Sequence, residues 1–164
     1  MSDTELLQHY ALVIFDADDT LRRSTVPGKP CPHAPDEWEL MPGVRETLSK
    51  VPWGTPRAPR LGFASNQDQV SYGHLSLAMA RRLLRDLARA ATGITPDEPA
   101  LQLCPHALHT RCDCRKPEPG MLLRIMQHYQ IPPEATVFVG NSAADQESAK
   151  RAGVCFISAQ RLFG

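Results

Sequence analysis

The sequence predicts an α/β fold, a parallel sheet with helices on both sides, and three observations carry that expectation. Short, almost wholly apolar runs recur at 11–15, 61–64, 136–139 and 154–157, the signature of strands covered on both faces. Amphipathic stretches stand between them. The resulting alternation of strand and helix calls for crossover connections between parallel strands.

The run ALVIF at 11–15 opens the sheet. An acidic turn follows, then a proline-rich span that reads as rigid loop, then a helix near 43–51. LGFA at 61–64 is the second strand. Leu75, Met79, Ala80, Leu83, Leu84, Leu87 and Ala91 share one helical face, which Gly93 can terminate. Met121, Leu122, Ile125, Met126 and Tyr129 make another, opened by Pro119 and stopped before Pro132 and Pro133. TVFV at 136–139 and VCFI at 154–157 complete the set.

Composition bounds the rest. A chain of 164 residues with 42% hydrophobic content fits one compact domain spanning 1–164. No apolar run approaches the roughly 18 residues needed to cross a bilayer, so no membrane partner is expected. Five cysteines, without a basic and apolar leader, point to a reducing cytoplasm. Lys plus Arg balances Asp plus Glu at 18 each; no global field exists to gather polyanions, which argues against extended nucleic acid. No coiled-coil periodicity is present, and a monomer is expected.

Ligands of such sheets collect at the carboxyl ends of the strands. There the first run delivers Asp16, Asp18, Asp19 and Thr20. Clustered carboxylates at a strand tip suit a nucleophile, or a hard oxygen site for magnesium, or simply an acidic turn. The second run delivers Ser65, Asn66 and Gln67, and the 136–139 run delivers Asn141, Ser142 and Asp145. Such groups hold phosphate oxygens or cap turns and helices; Ser142 with Asp145 has the spacing of a capping pair. Cys104, His106, Cys112 and Cys114 offer four ligands of the kind zinc prefers, with His109 as a substitute, although cysteines merely borne on a loop fit the same spacing. That loop runs directly into Arg115 and Lys116. Cys31-Pro-His33 repeats the triplet without a matching partner and reads as loop.

Taken together, FDADDTL, ASNQ, CRKPEPGML and VGNSAAD resemble, in order, the four motifs of the haloacid dehalogenase superfamily of phosphohydrolases. CPH followed by CDCRKPEPGML is similar to its subfamily IIIA, the D-glycero-D-manno-heptose bisphosphate and histidinol-phosphate phosphatases, whose loop carries structural zinc. The resemblance implies a three-layer, Rossmann-like, capless fold with a zinc-binding loop. It implies that Asp16 is the nucleophile that becomes an aspartyl-phosphate and that Asp18 is the acid and base. Catalytic magnesium would be held by Asp16, the Asp18 carbonyl and the 141–145 segment through Asn141 or Asp145. Ser65 and the Asn66 backbone would hold phosphate, Lys116 would neutralise charge and Arg115 would reach the remainder of the substrate. Zinc would take Cys104, His106, Cys112 and Cys114.

The substrate so implied is a small phosphorylated metabolite, first a sugar bisphosphate, with histidinol phosphate or another small phosphate ester as the alternative. Arg22, Arg23, Lys29 and His33 are candidates for a second phosphate. The chain departs from the family pattern at Asp19, where glycine is usual, and at Asn141, where aspartate is usual. A relocated charge, gained at 19 and lost at 141, would keep magnesium; without it the rival is a zinc-stabilised phosphate-binding or regulatory domain that has lost turnover.

Overall fold

A computed structural model describes residues 1–164. In chain order the elements are α1 (Asp3–Gln8), β1 (Leu12–Phe15), β2 (Arg22–Ser24), β3 (Trp38–Leu40), α2 (Val44–Leu48), β4 (Arg60–Asn66) and α3 (Leu77–Thr92). They continue with β5 (Leu101–Cys104), α4 (Gly120–Tyr129), β6 (Thr136–Gly140), α5 (Ala143–Ala152), β7 (Cys155–Ser158) and α6 (Ala159–Phe163). Five strands form one parallel sheet in the order β5-β4-β1-β6-β7. The central strand pairs Phe15 with Phe63 on one side and Val139 on the other. Chain order reverses about β1, which opens a crevice beyond its carboxyl end.

The apolar runs are apolar throughout because both faces of the sheet are covered. Val13 and Phe15 point into a core with Phe63, Leu84, Leu87, Val137 and Val139. Leu12 and Ile14, on the opposite pleat, join Met121, Leu122, Ile125 and Phe138. All four expected strands are present. The edge strand β5 is not predicted from the sequence because LQLC is short, is interrupted by Gln102 and is buried only at its ends. The helix α3 begins at Leu77 with Ser76 as its cap, so Leu75 packs from the preceding turn; Gly93, at φ 82°, ends it as expected.

Between β1 and β4 lie only the antiparallel ribbon β2–β3, the short α2 and loop, with no separate cap domain. No helix is long and apolar enough to cross a membrane. Phe15 is fully buried, its ring centroid 6.0 Å from that of Phe63 and 6.2 Å, edge-on, from that of Trp53. Phe15→Ala, which opens a cavity directly beneath the strand tip, is expected to cost about 3–5 kcal/mol, measured as a lower denaturant midpoint at unchanged m.

Candidate active site

β1 delivers Asp16 to the crevice with its backbone N–H still in the ladder, donating to Val139 O at 2.9 Å. The chain then turns tightly. Leu21 and Arg22 donate to Ala17 O at 2.9 and 3.2 Å, and the Asp19 N–H donates to Arg22 O at 2.7 Å. Closing that turn puts Asp19 at φ 63°, the left-handed region. Glycine takes that conformation freely, and aspartate tolerates it better than most residues.

Lys116 reaches the floor of the crevice from the cysteine loop. Its Nζ donates to Asp16 Oδ1 at 2.6 Å, to Ala64 O at 2.9 Å and contacts Asp145 Oδ1 at 2.7 Å. Three donors thus meet three acceptors. All three side chains are buried. Burial alone would lower the Lys116 pKa, but Asp16 and Asp145 outweigh it and the ammonium is held charged. Asp16 is pushed up to about 6, by burial first, with Lys116 opposing and Asp145 adding to the rise. Two carboxylates against one ammonium leave the floor short of positive charge.

Asp145 serves two ends at once. Its Oδ2 accepts the backbone N–H groups of Asn141 and Ser142 at 3.0 and 3.2 Å, while Ser142 Oγ accepts the Asp145 N–H. The capping box expected from the spacing is therefore real, and it aims the other oxygen at Lys116. Gly140 makes room: a Cβ there would stand 2.6 Å from Asp145 Cβ and Oδ2.

The Asn141 amide lies 3.0 Å from Asp16 Oδ2, 3.2 Å from Thr20 Oγ1 and 3.3 Å from Asp145 Oδ2. With nitrogen inward it donates to these oxygens; with oxygen inward it converges on them. An octahedral magnesium with bonds of about 2.1 Å sets neighbouring ligand oxygens roughly 3 Å apart. The spacing and the charge deficit both fit such a cation. Asp19 borders a cavity of about 460 Å³ together with Thr20 and Asn141, and burial, then Asp18, raise its carboxyl pKa.

Asp18 is clamped. Arg22 Nε donates to its Oδ1 at 2.8 Å, and Gln67 Nε2 donates to its Oδ2 at 2.8 Å. Of the candidates for a second phosphate, only Arg22 is withdrawn by its burial against Asp18. Arg22 is 1% exposed and committed to Asp18, Arg23 pairs with Glu39, Lys29 pairs with Glu37, and the His33 ring stacks on His74. The β2 pleat turns Arg22 inward and Arg23 outward. Ser65 is buried at the end of β4. Asn66 does more than lend its backbone: its side chain donates to Lys116 O at 3.2 Å and accepts the Lys116 N–H at 3.0 Å. That clasp moors the loop, since a side-chain amide carries its donor and its acceptor on separate atoms that can meet the C=O and N–H of one residue together.

β5 ends on Cys104, and the 104–117 loop folds back over it. Cys114 Sγ lies 3.2 Å from both Cys104 Sγ and His106 Nδ1; Cys104 Sγ lies 3.2 Å from His106 Nδ1 and 3.7 Å from Cys112 Sγ. All four ligand atoms fall within 4.8 Å of one another. A zinc tetrahedron with bonds of about 2.0–2.3 Å has edges of roughly 3.5–3.8 Å. The four residues fit that ion with small adjustments. His109 is exposed and stands outside the cluster, and Cys31 is buried apart from it. Beyond Cys114, Arg115 donates its N–H to Cys112 Sγ at 3.4 Å and its guanidinium lies 3.6 Å from Asp68.

A strand-tip aspartate, a buried lysine bound to it and a helix-capping carboxylate behind both meet in one crevice. Residues 31–153 match the haloacid dehalogenase-like hydrolases, and the chain belongs to that family. Within it the chain stands with phosphatases. It is 34% identical over 148 residues to the D-glycero-beta-D-manno-heptose-1,7-bisphosphate 7-phosphatase of Pseudomonas aeruginosa, covering 88% of this chain and 74% of that one. The enzyme of the same name from Pseudomonas putida is 35% identical over 121 residues, covering 72% of this chain and 66% of the relative, a little under two thirds. The crystal structure of D,D-heptose 1,7-bisphosphate phosphatase from B. bronchiseptica, complexed with magnesium and phosphate, superposes with a TM-score of 0.71 at 27% identity, covering 88% of this chain and 78% of that one.

Asn141→Asp sets a third carboxylate against Asp16 and Asp145. Without divalent cation it is expected to lower Tm by roughly 3–6 °C, on the order of 1–2 kcal/mol. Saturating magnesium is expected to raise Tm more in this variant than in the parent, as read by differential scanning calorimetry.

Proposed function

We propose that the chain is a magnesium-dependent phosphomonoester hydrolase acting through an aspartyl-phosphate at Asp16, on a sugar bisphosphate such as D-glycero-D-manno-heptose 1,7-bisphosphate. The contact of Lys116 with both Asp16 and Asp145 at the tip of β1 carries the mechanistic reading. The heptose bisphosphate phosphatases among the relatives support the substrate.

The Asp16 carboxylate attacks phosphorus in line as the ester oxygen departs on the far side, leaving phosphate on Asp16. Asp18, in its protonated form, gives a proton to the departing oxygen, and the carboxylate so formed takes one back from the water that cleaves the aspartyl-phosphate. Lys116 holds Asp16 in place and offsets charge on the transferring group, and Asp145 holds Lys116. Ser65 Oγ accepts from Gln67 Nε2 at 2.7 Å, which leaves its own proton for a phosphate oxygen. Asp16, the Asp18 carbonyl and Asn141, with Asp145 behind them, would hold magnesium, which would supply Lewis-acid neutralisation of the phosphoryl oxygens. Arg115, fixed by the loop, faces the rest of the substrate.

Zinc on Cys104, His106, Cys112 and Cys114 is structural in this reading, since four protein ligands leave no open position. Bound there it would stiffen the loop that presents Arg115 and Lys116. The five unpaired cysteines accord with a reducing, cytoplasmic setting.

Phosphate release from an aryl phosphate and from heptose bisphosphate is expected with magnesium and not after chelation, and Asp16→Asn is expected to lower kcat by about 10³-fold or more. Absence of any Asp16-dependent release would turn the reading to a phosphate-binding domain. Metal analysis is expected to find one zinc per chain. Cys114→Ser is expected to lose zinc, unfold at a lower temperature and raise KM more than it lowers kcat; normal KM in a zinc-free variant would overturn the structural role.

A further inference from the structure

We infer that Arg22, assisted by Gln67, is the positioning residue for Asp18: it holds the acid–base carboxylate at the leaving group before substrate arrives. This rests on the phosphatase reading above and deepens it. Arg22 Nε donates to Asp18 Oδ1 at 2.8 Å and Nη2 approaches Oδ2 at 3.4 Å, while Gln67 Nε2 donates to the same Oδ2 at 2.8 Å. Three donors thereby occupy most of the roughly four acceptor positions of the carboxylate and leave it little rotational freedom.

The placement is costly. Arg22 is 1% exposed and Gln67 3% exposed, and removing a guanidinium from water costs several kcal/mol unless it is paired. Arg22 Nη1 and Gln67 Oε1 are buried with no protein group to bond. An apolar residue at either position would pack without that expense. The specific return is the fixed Asp18 carboxylate. Arg22 also builds the turn that carries Asp18, its carbonyl accepting the Asp19 N–H at 2.7 Å and its N–H reaching Ala17 O at 3.2 Å.

Gln67 extends the clamp. Besides Asp18 it donates to Ser65 Oγ at 2.7 Å, so one amide ties the phosphate-side hydroxyl to the acid–base carboxylate. Since the span between β1 and β4 folds no cap that closes on the substrate, orientation has to be set within the domain itself.

The test exploits the leaving group. Para-nitrophenolate departs without a proton, whereas an alkyl or sugar alkoxide needs one from Asp18. Arg22→Lys, Arg22→Met and Gln67→Met, each with folding verified by circular dichroism and Tm, are assayed with magnesium on para-nitrophenyl phosphate and on an alkyl phosphate. The expected result is a loss of kcat/KM, which reads only the steps through departure of the leaving group and not the later water step common to both esters, at least about tenfold greater on the alkyl than on the aryl ester, with Arg22→Lys less impaired than Arg22→Met. Equal proportional losses on both esters would show a purely structural role and overturn the inference. If the Arg22 variants do not fold, the same ratio in Gln67→Met, which removes no charge, decides it. A parent protein silent on both esters would overturn the phosphatase reading and this inference with it, an outcome distinct from an active parent with equal losses.

Discussion

The Lys116 ammonium, buried between Asp16 and Asp145, is the constraint on which the remainder of the site is built. Removing one partner from a buried ion pair costs about 3–5 kcal/mol, because the charge left behind has no solvent to receive it. Each neighbour of Lys116 is accordingly held from elsewhere. The Asn66 side chain clasps its backbone N–H and C=O, Ala64 O takes its third proton, and the cysteine loop sets the course of the chain just before it. Lys116 also lies 5.4 Å over the Phe138 ring, so the strand beneath contributes to seating it.

Structural and chemical duties coincide in the same atoms. Asp145 caps α5 with one oxygen and grips Lys116 with the other, so the helix terminus and the floor of the crevice have a common anchor. Gly140 lacks a side chain because Asp145 occupies the space a Cβ would need. Asn66 stands at the end of β4 yet serves a loop from another part of the chain. Sorting these residues into caps and catalytic groups is therefore a false choice.

Much of the site was legible in the linear order. A run buried on both faces must end in the crevice of a parallel sheet, which is why Asp16, Ser65 and Asn141 were identifiable from what precedes each of them. The cysteine–histidine spacing was likewise readable, since four soft ligands within one short loop are close wherever the loop lies. The short β5 was not, because an edge strand needs little burial, nor was the three-residue ribbon, which is too short for a period to register. The partner of Arg22 was also misjudged. A cation in a loop reads as solvated or ligand-facing, and nothing in the order of residues signals that β2 turns it inward onto Asp18.

Sequence by itself determined the fold class, the strand tips that carry chemistry and the residue types available there, because periodicity and turn chemistry are local properties. Tertiary structure alone decided which of those residues touch. The bond of Lys116 to Asp16, the clasp of Asn66 on Lys116 and the Gln67 bridge from Ser65 to Asp18 join segments brought together by crossovers of the sheet. Their geometry is set by packing across both faces of β1, which no single stretch of the chain encodes.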